Sequence, residues 1–224
     1  MVMAAVFWLD ELGHAHYAND FMPLLLTHLK AEHGLSAGLA MTQTCSARLE
    51  LAAAALDLDC ITTPVGFVRL YSELQEADVA LACEEYGGVA FADHVMQRDG
   101  ILCAAYLAEL VAKADKPLSQ LLADLEADIP HMYYERKDLS LDAAVVQRFR
   151  NILPGLNPGE IAGETPARVS HADGLKLTFE DGSWLSLRPS RSRAIVRAYA
   201  EAYSQERRDL LLSAAVELTT SKLQ

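Results

Sequence analysis

Apolar and polar positions along the chain change period several times, and each change predicts an element. Residues 5–9 form a short apolar run that reads as a strand, and Asp10-Glu11-Leu12-Gly13 reads as a turn. Asn19-Asp20 is placed to cap a helix carrying Phe21, Leu24, Leu25, Leu26 and Leu29, with Gly34 stopping it. Leu39-Ala40-Met41-Thr42 reads as a buried strand, and Ser46 caps a helix from Ala47 to Leu56. A strand at Cys60-Ile61-Thr62-Thr63, a helix from Phe67 to Gln75 and a strand at Val79-Ala80-Leu81-Ala82-Cys83 follow. Two further helices are expected, Ile101 to Ala112 and Ser119 to Leu125. Strands alternating with helices imply βαβ units and a mainly parallel sheet covered on both faces.

The pattern breaks at Ile129-Pro130 through Asp138, where proline and charge interrupt it, and a domain boundary is expected there. A helix from Leu141 to Ile152 and a loop rich in proline and glycine come next. Three or four antiparallel strands are then expected, with turns at Ala172-Asp173-Gly174 and Glu180-Asp181-Gly182, and a last helix from Gln205 to Leu218. The predicted fold class is α/β: a three-layer domain with a mainly parallel sheet over residues 1–130, then a small α+β domain with an antiparallel sheet over 131–224.

Composition narrows the function. With 51% hydrophobic and 22% charged residues the chain is globular rather than disordered. A net charge of −12 argues against nucleic acid and anionic membranes as partners. No apolar run is long enough to span a bilayer, and the short apolar N-terminus has no basic flank, so no signal peptide is expected. Cys45, Cys60, Cys83 and Cys103 are far apart and form no Cys-x-x-Cys pair, which fits reduced, buried thiols and a cytoplasmic location.

Three stretches offer chemistry. Arg188-Pro189-Ser190-Arg191-Ser192-Arg193 puts three arginines and two hydroxyls between two expected strands of an acidic chain. It reads as a pocket for a small anion such as phosphate, or as a solvated basic turn. Glu84-Glu85-Tyr86-Gly87-Gly88 follows a strand of the parallel sheet, where ligands bind and where carboxylates can accept from sugar hydroxyls; the plain alternative is a surface turn. Asp99 is placed as a helix cap and Arg98 can pair with Glu84 or Glu85. The pair His14 and His16 lacks a third ligand and no metal is assigned to it. No dinucleotide fingerprint, nucleophile elbow or Walker loop occurs.

Taken in order, these stretches resemble the C-terminal half of the α-D-phosphohexomutases, the family of phosphoglucomutase and phosphomannomutase. Thr63-Pro64-Val65-Gly66-Phe67 resembles a segment of that family's third domain. Cys83-Glu84-Glu85-Tyr86-Gly87-Gly88 is similar to its sugar loop, Gly-Glu-x-Ser-Gly, and Phe91 through Leu102 is similar to the segment after it. Asp181-Gly182-Ser183-Trp184-Leu185 leading to Arg188-Pro189-Ser190 resembles the approach to the fourth domain's phosphate loop, Arg-Pro-Ser-Gly-Thr-Glu-Pro.

The resemblance implies a sugar-loop domain followed by a phosphate-loop domain. It implies sugar contacts from Glu84, Glu85, Tyr86, Arg98 and Asp99, and phosphate contacts from Arg188, Ser190, Arg191, Ser192 and Arg193. The family's phosphoserine and its magnesium loop, Asp-x-Asp-x-Asp-Arg, belong to its first two domains, which are expected to be missing here. The chain is therefore expected to hold no magnesium, no other cofactor and no catalytic residue of its own. The family's sugar-loop serine is Tyr86 here, and Gly-Thr-Glu-Pro has become Arg191-Ser192-Arg193-Ala194. The expected role is a truncated pseudoenzyme of carbohydrate metabolism that binds a hexose phosphate. The alternatives are the C-terminal subunit of a split mutase working with a separate N-terminal-half chain, or a non-catalytic interaction protein that forms a homodimer.

Overall fold

A computed structural model describes residues 5–190 and 192–221. The chain divides into two compact units, Met1–His131 and Met132–Gln224.

In the first unit, β1 (Trp8–Leu9) pairs antiparallel with β2 (Ala15–His16). The expected strand at 5–9 is thus reduced to two residues in a hairpin of its own rather than a member of the larger sheet. Helix α1 (Ala18–His33) ends at Gly34, whose φ of 66° is the left-handed stop that the glycine predicts. Its start differs from the expectation. Tyr17 occupies the cap, and Asp20 accepts from the Tyr17 amide at 2.9 Å, one turn inside the helix. Asn19 is buried and accepts from the Ser46 amide at 2.9 Å, tying α1 to the start of α2 (Ala47–Ala55). Ser46 itself caps α2, accepting from the Arg48 amide.

The four-stranded sheet has the order β4 (Cys60–Thr63), β3 (Gly38–Thr42), β5 (Val79–Cys83), β6 (Val89–Phe91). The first three are parallel and β6 returns antiparallel along β5. Strand pleating sorts residues by size. Leu39, Met41, Leu81, Cys83, Val89 and Phe91 pack with α1, α2 and α4 (Gly100–Ala114). The alanines between them, Ala40, Ala82 and Ala90, pack under Phe67, Leu70 and Leu74 of α3 (Phe67–Glu76). Helix α5 (Leu118–Leu125) adds Leu125 to the larger cluster. Both faces of the inner strands are covered, which explains why β3 and β5 read as nearly unbroken apolar runs, whereas the edge strand β4 is half threonine with Thr62 exposed.

The second unit has one antiparallel five-stranded sheet, ordered β7 (Tyr133–Ser140), β11 (Ile195–Ala202), β10 (Trp184–Pro189), β9 (Leu175–Thr178), β8 (Arg168–Ser170). Strand β7 lies where a break in the pattern was expected. Its run Glu135-Arg136-Lys137-Asp138 carries charge on both pleats, which hides the period of two, and as an edge strand it can afford that. Leu175, Leu177, Leu185, Leu187, Val196, Ala198 and Ala200 face α6 (Ala143–Ile152) and α7 (Gln205–Ser221), so both helices lie on one side. On the opposite pleat, Trp184 and Glu201 are register partners, and the indole Nε1 donates to the buried carboxylate at 2.8 Å. Among the described residues no helix is long and apolar enough to cross a membrane.

Candidate functional site

The carboxyl ends of β3, β4 and β5 lie side by side, because the three strands are parallel. The loop after β5 turns tightly: the Glu84 amide donates to the Gly88 carbonyl at 2.9 Å, and the Gly87 amide to the Glu84 carbonyl at 3.1 Å. Gly87 has φ of 88°, and a Cβ there would stand 2.0 Å from the Val6 carbonyl oxygen. Only glycine lets this loop approach the N-terminal segment, whose Val6 amide donates to the Gly87 carbonyl at 3.0 Å.

The two adjacent acids of the loop do different things. Arg98 donates from Nε to Glu84 Oε2 at 2.6 Å, and its guanidinium lies 4.4 Å above the Phe67 ring. Glu85 is buried and turned inward, accepting from Thr44 Oγ1 at 2.8 Å and Thr42 Oγ1 at 3.2 Å. Tyr86 is exposed, with its ring edge-on to Tyr17 at 6.5 Å. Asp99 caps α4, accepting from the amides of Ile101 and Leu102, while its other oxygen meets His94 Nδ1 at 3.0 Å. Glu84, Tyr86, Arg98 and Asp99 therefore gather at one rim. Thr42 and Thr44, at the end of β3 and in the turn after it, support the loop and were not singled out in the sequence, because they are distant from it along the chain; Phe67, at the start of α3, belongs to the segment Thr63–Phe67 noted above. The pair His14 and His16 serves Asp10, whose Oδ2 they reach at 3.3 and 3.1 Å.

In the second unit, the turn at Ala172-Asp173-Gly174 presses against β10. A Cβ on Gly174, with φ of 94°, would stand 2.3 Å from the Leu187 carbonyl oxygen. This close approach delivers Asp173 to Arg188, which donates from Nε to Asp173 Oδ2 at 2.6 Å. Arg188 lines a hollow of about 370 Å³ together with Arg150, His171, Asp173, Pro154 and Pro189. Ser190 is buried, and its hydroxyl accepts from the amides of Arg193 at 3.3 Å and Ser192 at 3.4 Å. Arg150 donates from Nη2 to the Ser190 carbonyl at 2.6 Å. Ser192 and Arg193 are exposed and do not line the hollow; Arg193 Nη2 lies 3.9 Å from Asp138 Oδ2. Arg191 lies outside the described residues. Arg150 and His171 are additions that sequence reasoning missed, since they sit on α6 and in the loop before β9.

Residues 17–128 match the model of the phosphoglucomutase/phosphomannomutase alpha/beta/alpha domain III. The chain belongs to the phosphoglucomutase/phosphomannomutase family. It is 28% identical over 223 residues to a phosphoglucomutase/phosphomannomutase of Thermococcus kodakarensis, covering 98% of this chain and 45% of that protein. It is 24% identical to a phosphoglucosamine mutase of Clostridium tetani, over 95% of this chain and 44% of that one. A solved phosphoglucomutase/phosphomannomutase family protein from Burkholderia thailandensis has the same fold, with a TM-score of 0.73 at 18% identity, covering 95% of this chain and 44% of that one. The chain thus spans less than half the length of these family members and corresponds to their C-terminal domains. The α/β fold with a mixed parallel sheet and a second, antiparallel sheet is the family's domain III and IV fold.

Proposed function

We propose that this chain recognises a hexose phosphate, as the sugar- and phosphate-binding half of a phosphohexomutase, and does not transfer phosphoryl groups by itself. The observation that carries the reading is the hollow beside Arg188, where two guanidinium-bearing residues and an imidazole surround a space large enough for a phosphate group. Guanidinium forks match phosphate oxygens in geometry and charge. Asp173 holds Arg188 in the meantime, and an incoming dianion competes with it for the same donor. In the other unit Glu84 is held in place by Arg98 through one oxygen, which leaves acceptor capacity for sugar hydroxyls. Phosphoryl transfer in this family calls for a phosphoserine and an Asp-x-Asp-x-Asp-Arg magnesium loop, and no such run occurs in this sequence.

Calorimetric titration with glucose 1-phosphate, glucose 6-phosphate and mannose 6-phosphate tests the reading, alongside a coupled mutase assay. Binding at or below millimolar concentration is expected, weakened at least about tenfold in Arg188→Ala, a loss of about 1.4 kcal/mol, with no turnover. No heat with any ligand would refute the binding part, and turnover by the purified chain would refute the rest.

One observation favours a second reading, in which a separate chain supplies the serine and magnesium loops. Val68 and Ile101, the second residues of α3 and α4, are 79% and 87% exposed, and exposed Phe7, Tyr17 and Tyr86 form a chain of ring contacts. Exposed aromatic side chains in mutual contact, unlike apolar residues scattered singly, are a candidate interaction surface. Recovery of such a partner from native lysate, with mutase activity in the mixture, supports this reading; a monomer without a partner counts against it.

A further inference from the structure

The far end of the first unit holds a cluster that neither loop uses. Helix α4 starts at the rim with Asp99 and runs away from it, so Glu109 lies about 15 Å further along the axis at 1.5 Å per residue. There the last two turns of α1 bring His28 and His33 to the same carboxylate. His33 Nε2 lies 2.7 Å from Glu109 Oε2 and His28 Nε2 lies 3.1 Å from the same oxygen.

We propose that His28, His33 and Glu109 form a binding site for a late first-row divalent cation, zinc by ligand chemistry, which clamps the C-terminal turn of α1 to α4. Two imidazole nitrogens and one carboxylate oxygen are the donor set that zinc takes in three-ligand sites. The three ligand atoms lie within 4.8 Å of one another, and among the described residues this is the group of three that meets that condition. Donors around a tetrahedral zinc, at bonds of about 2.0–2.2 Å, stand roughly 3.3 Å apart. The two nitrogen–oxygen distances, 2.7 and 3.1 Å, fall below that spacing by about 0.6 and 0.2 Å, so side-chain rotations that open the cluster admit the ion. The rings do not stack, being tilted by 66° with centroids 5.8 Å apart, and both present Nε2 to the same carboxylate oxygen.

The surroundings fit a cation. Glu109 Oε1 lies 3.4 Å from Lys113 Nζ, which fixes the second oxygen and leaves Oε2 to the imidazoles. Lys113 also pairs closely with Glu32, so two carboxylates face one ammonium and the local charge without the histidines is negative. Coordination transfers each Nε2 proton to Nδ1 or to solvent, freeing the lone pair. His33 is exposed and lines a hollow of about 240 Å³ with Tyr106, so solvent reaches this side of the cluster.

Zinc titration of the full chain against a competing fluorescent chelator tests the site. One equivalent should bind, with affinity falling at least tenfold in His33→Ala and in Glu109→Gln. Zinc should raise the melting temperature of the parent chain and of neither variant, and cobalt should give the intense visible bands of tetrahedral coordination. His33 is exposed, so His33→Ala keeps the fold and decides the matter alone if Glu109→Gln does not fold. His16→Ala, which touches the other histidine pair, should bind like the parent. No saturable binding, equal binding in the cluster variants, or loss of binding in His16→Ala overturns the proposal.

Discussion

Arg98 reaches Glu84 with Nε at 2.6 Å while its guanidinium covers the Phe67 ring at 4.4 Å. This one side chain, on the residue before the α4 cap, thereby ties the loop after β5 to the start of α3. Arg98→Ala leaves a half-buried carboxylate without its donor and should cost about 2 kcal/mol, the usual loss for a charge-assisted bond. Arg98→Lys keeps the charge but loses the planar face over Phe67, and should fall between. Urea unfolding of the three proteins checks the order; equal stabilities would show that the pair does not hold the loop.

Gly87→Ala should loosen the N-terminal segment. The substitution strains a backbone at φ of 88° and drives a Cβ to 2.0 Å from the Val6 carbonyl oxygen. Strain of this kind costs about 1–3 kcal/mol. Limited proteolysis should cut faster among residues 5–16 in the variant, while the sheet stays intact by circular dichroism. Unchanged cleavage would mean that the segment is not anchored through Gly87.

Freeing Arg188 should strengthen anion binding. Asp173→Asn removes the carboxylate that occupies its Nε and keeps the size of the side chain. If Asp173 competes with the ligand by about 1 kcal/mol, hexose phosphate affinity rises roughly fivefold in calorimetry. A weaker affinity would show that Asp173 positions Arg188 for the ligand rather than competing with it.

Acid should loosen the β1–β2 hairpin through Asp10. Burial pushes its carboxyl up, but hydrogen bonds from His16, the His14 and Leu12 amides and the His14 ring outweigh this and bring it to about 2. A depressed carboxyl stabilises the fold above its unfolded value, near 4, and that contribution is lost as pH falls from about 4 towards 2. Asp10→Asn should remove this acid-dependent part of the stability, seen as a flatter melting profile over that window. An identical profile in both proteins would place the acid sensitivity elsewhere.

Strands β3, β4 and β5 were legible because β3 and β5 are buried apolar runs and the helices beside them end at recognisable signals, Ser46 at one start and Gly34 at one stop, whereas β6, three residues returning along β5, is too short to show a period and was not expected. Strand β7 was not, since four consecutive charged residues on an edge strand carry no period. The first strand was over-read for a related reason: an apolar run predicts burial, and the hairpin of β1 and β2 does not supply a sheet. The arginine-rich stretch from Arg188 does join two strands, as expected, yet the hollow beside it draws Arg150 and His171 from segments that show no motif. His28 and His33 are five residues apart, a spacing that no helical face would pair, and they meet at Glu109 because α4 lies across the end of α1.

By itself the sequence determined the two-part α/β architecture, its loops and its family likeness, because burial and turn geometry act locally and leave a periodic mark. Only the tertiary structure decided what each charge is for. Glu84 and Glu85 are the same side chain in neighbouring positions, and nothing local separates them. Consecutive residues leaving a strand point to opposite sides, so one carboxylate meets Arg98 at the rim and the other meets Thr42 and Thr44 inside. Charges choose partners through space, over a few ångströms, and the chain's order does not record that distance.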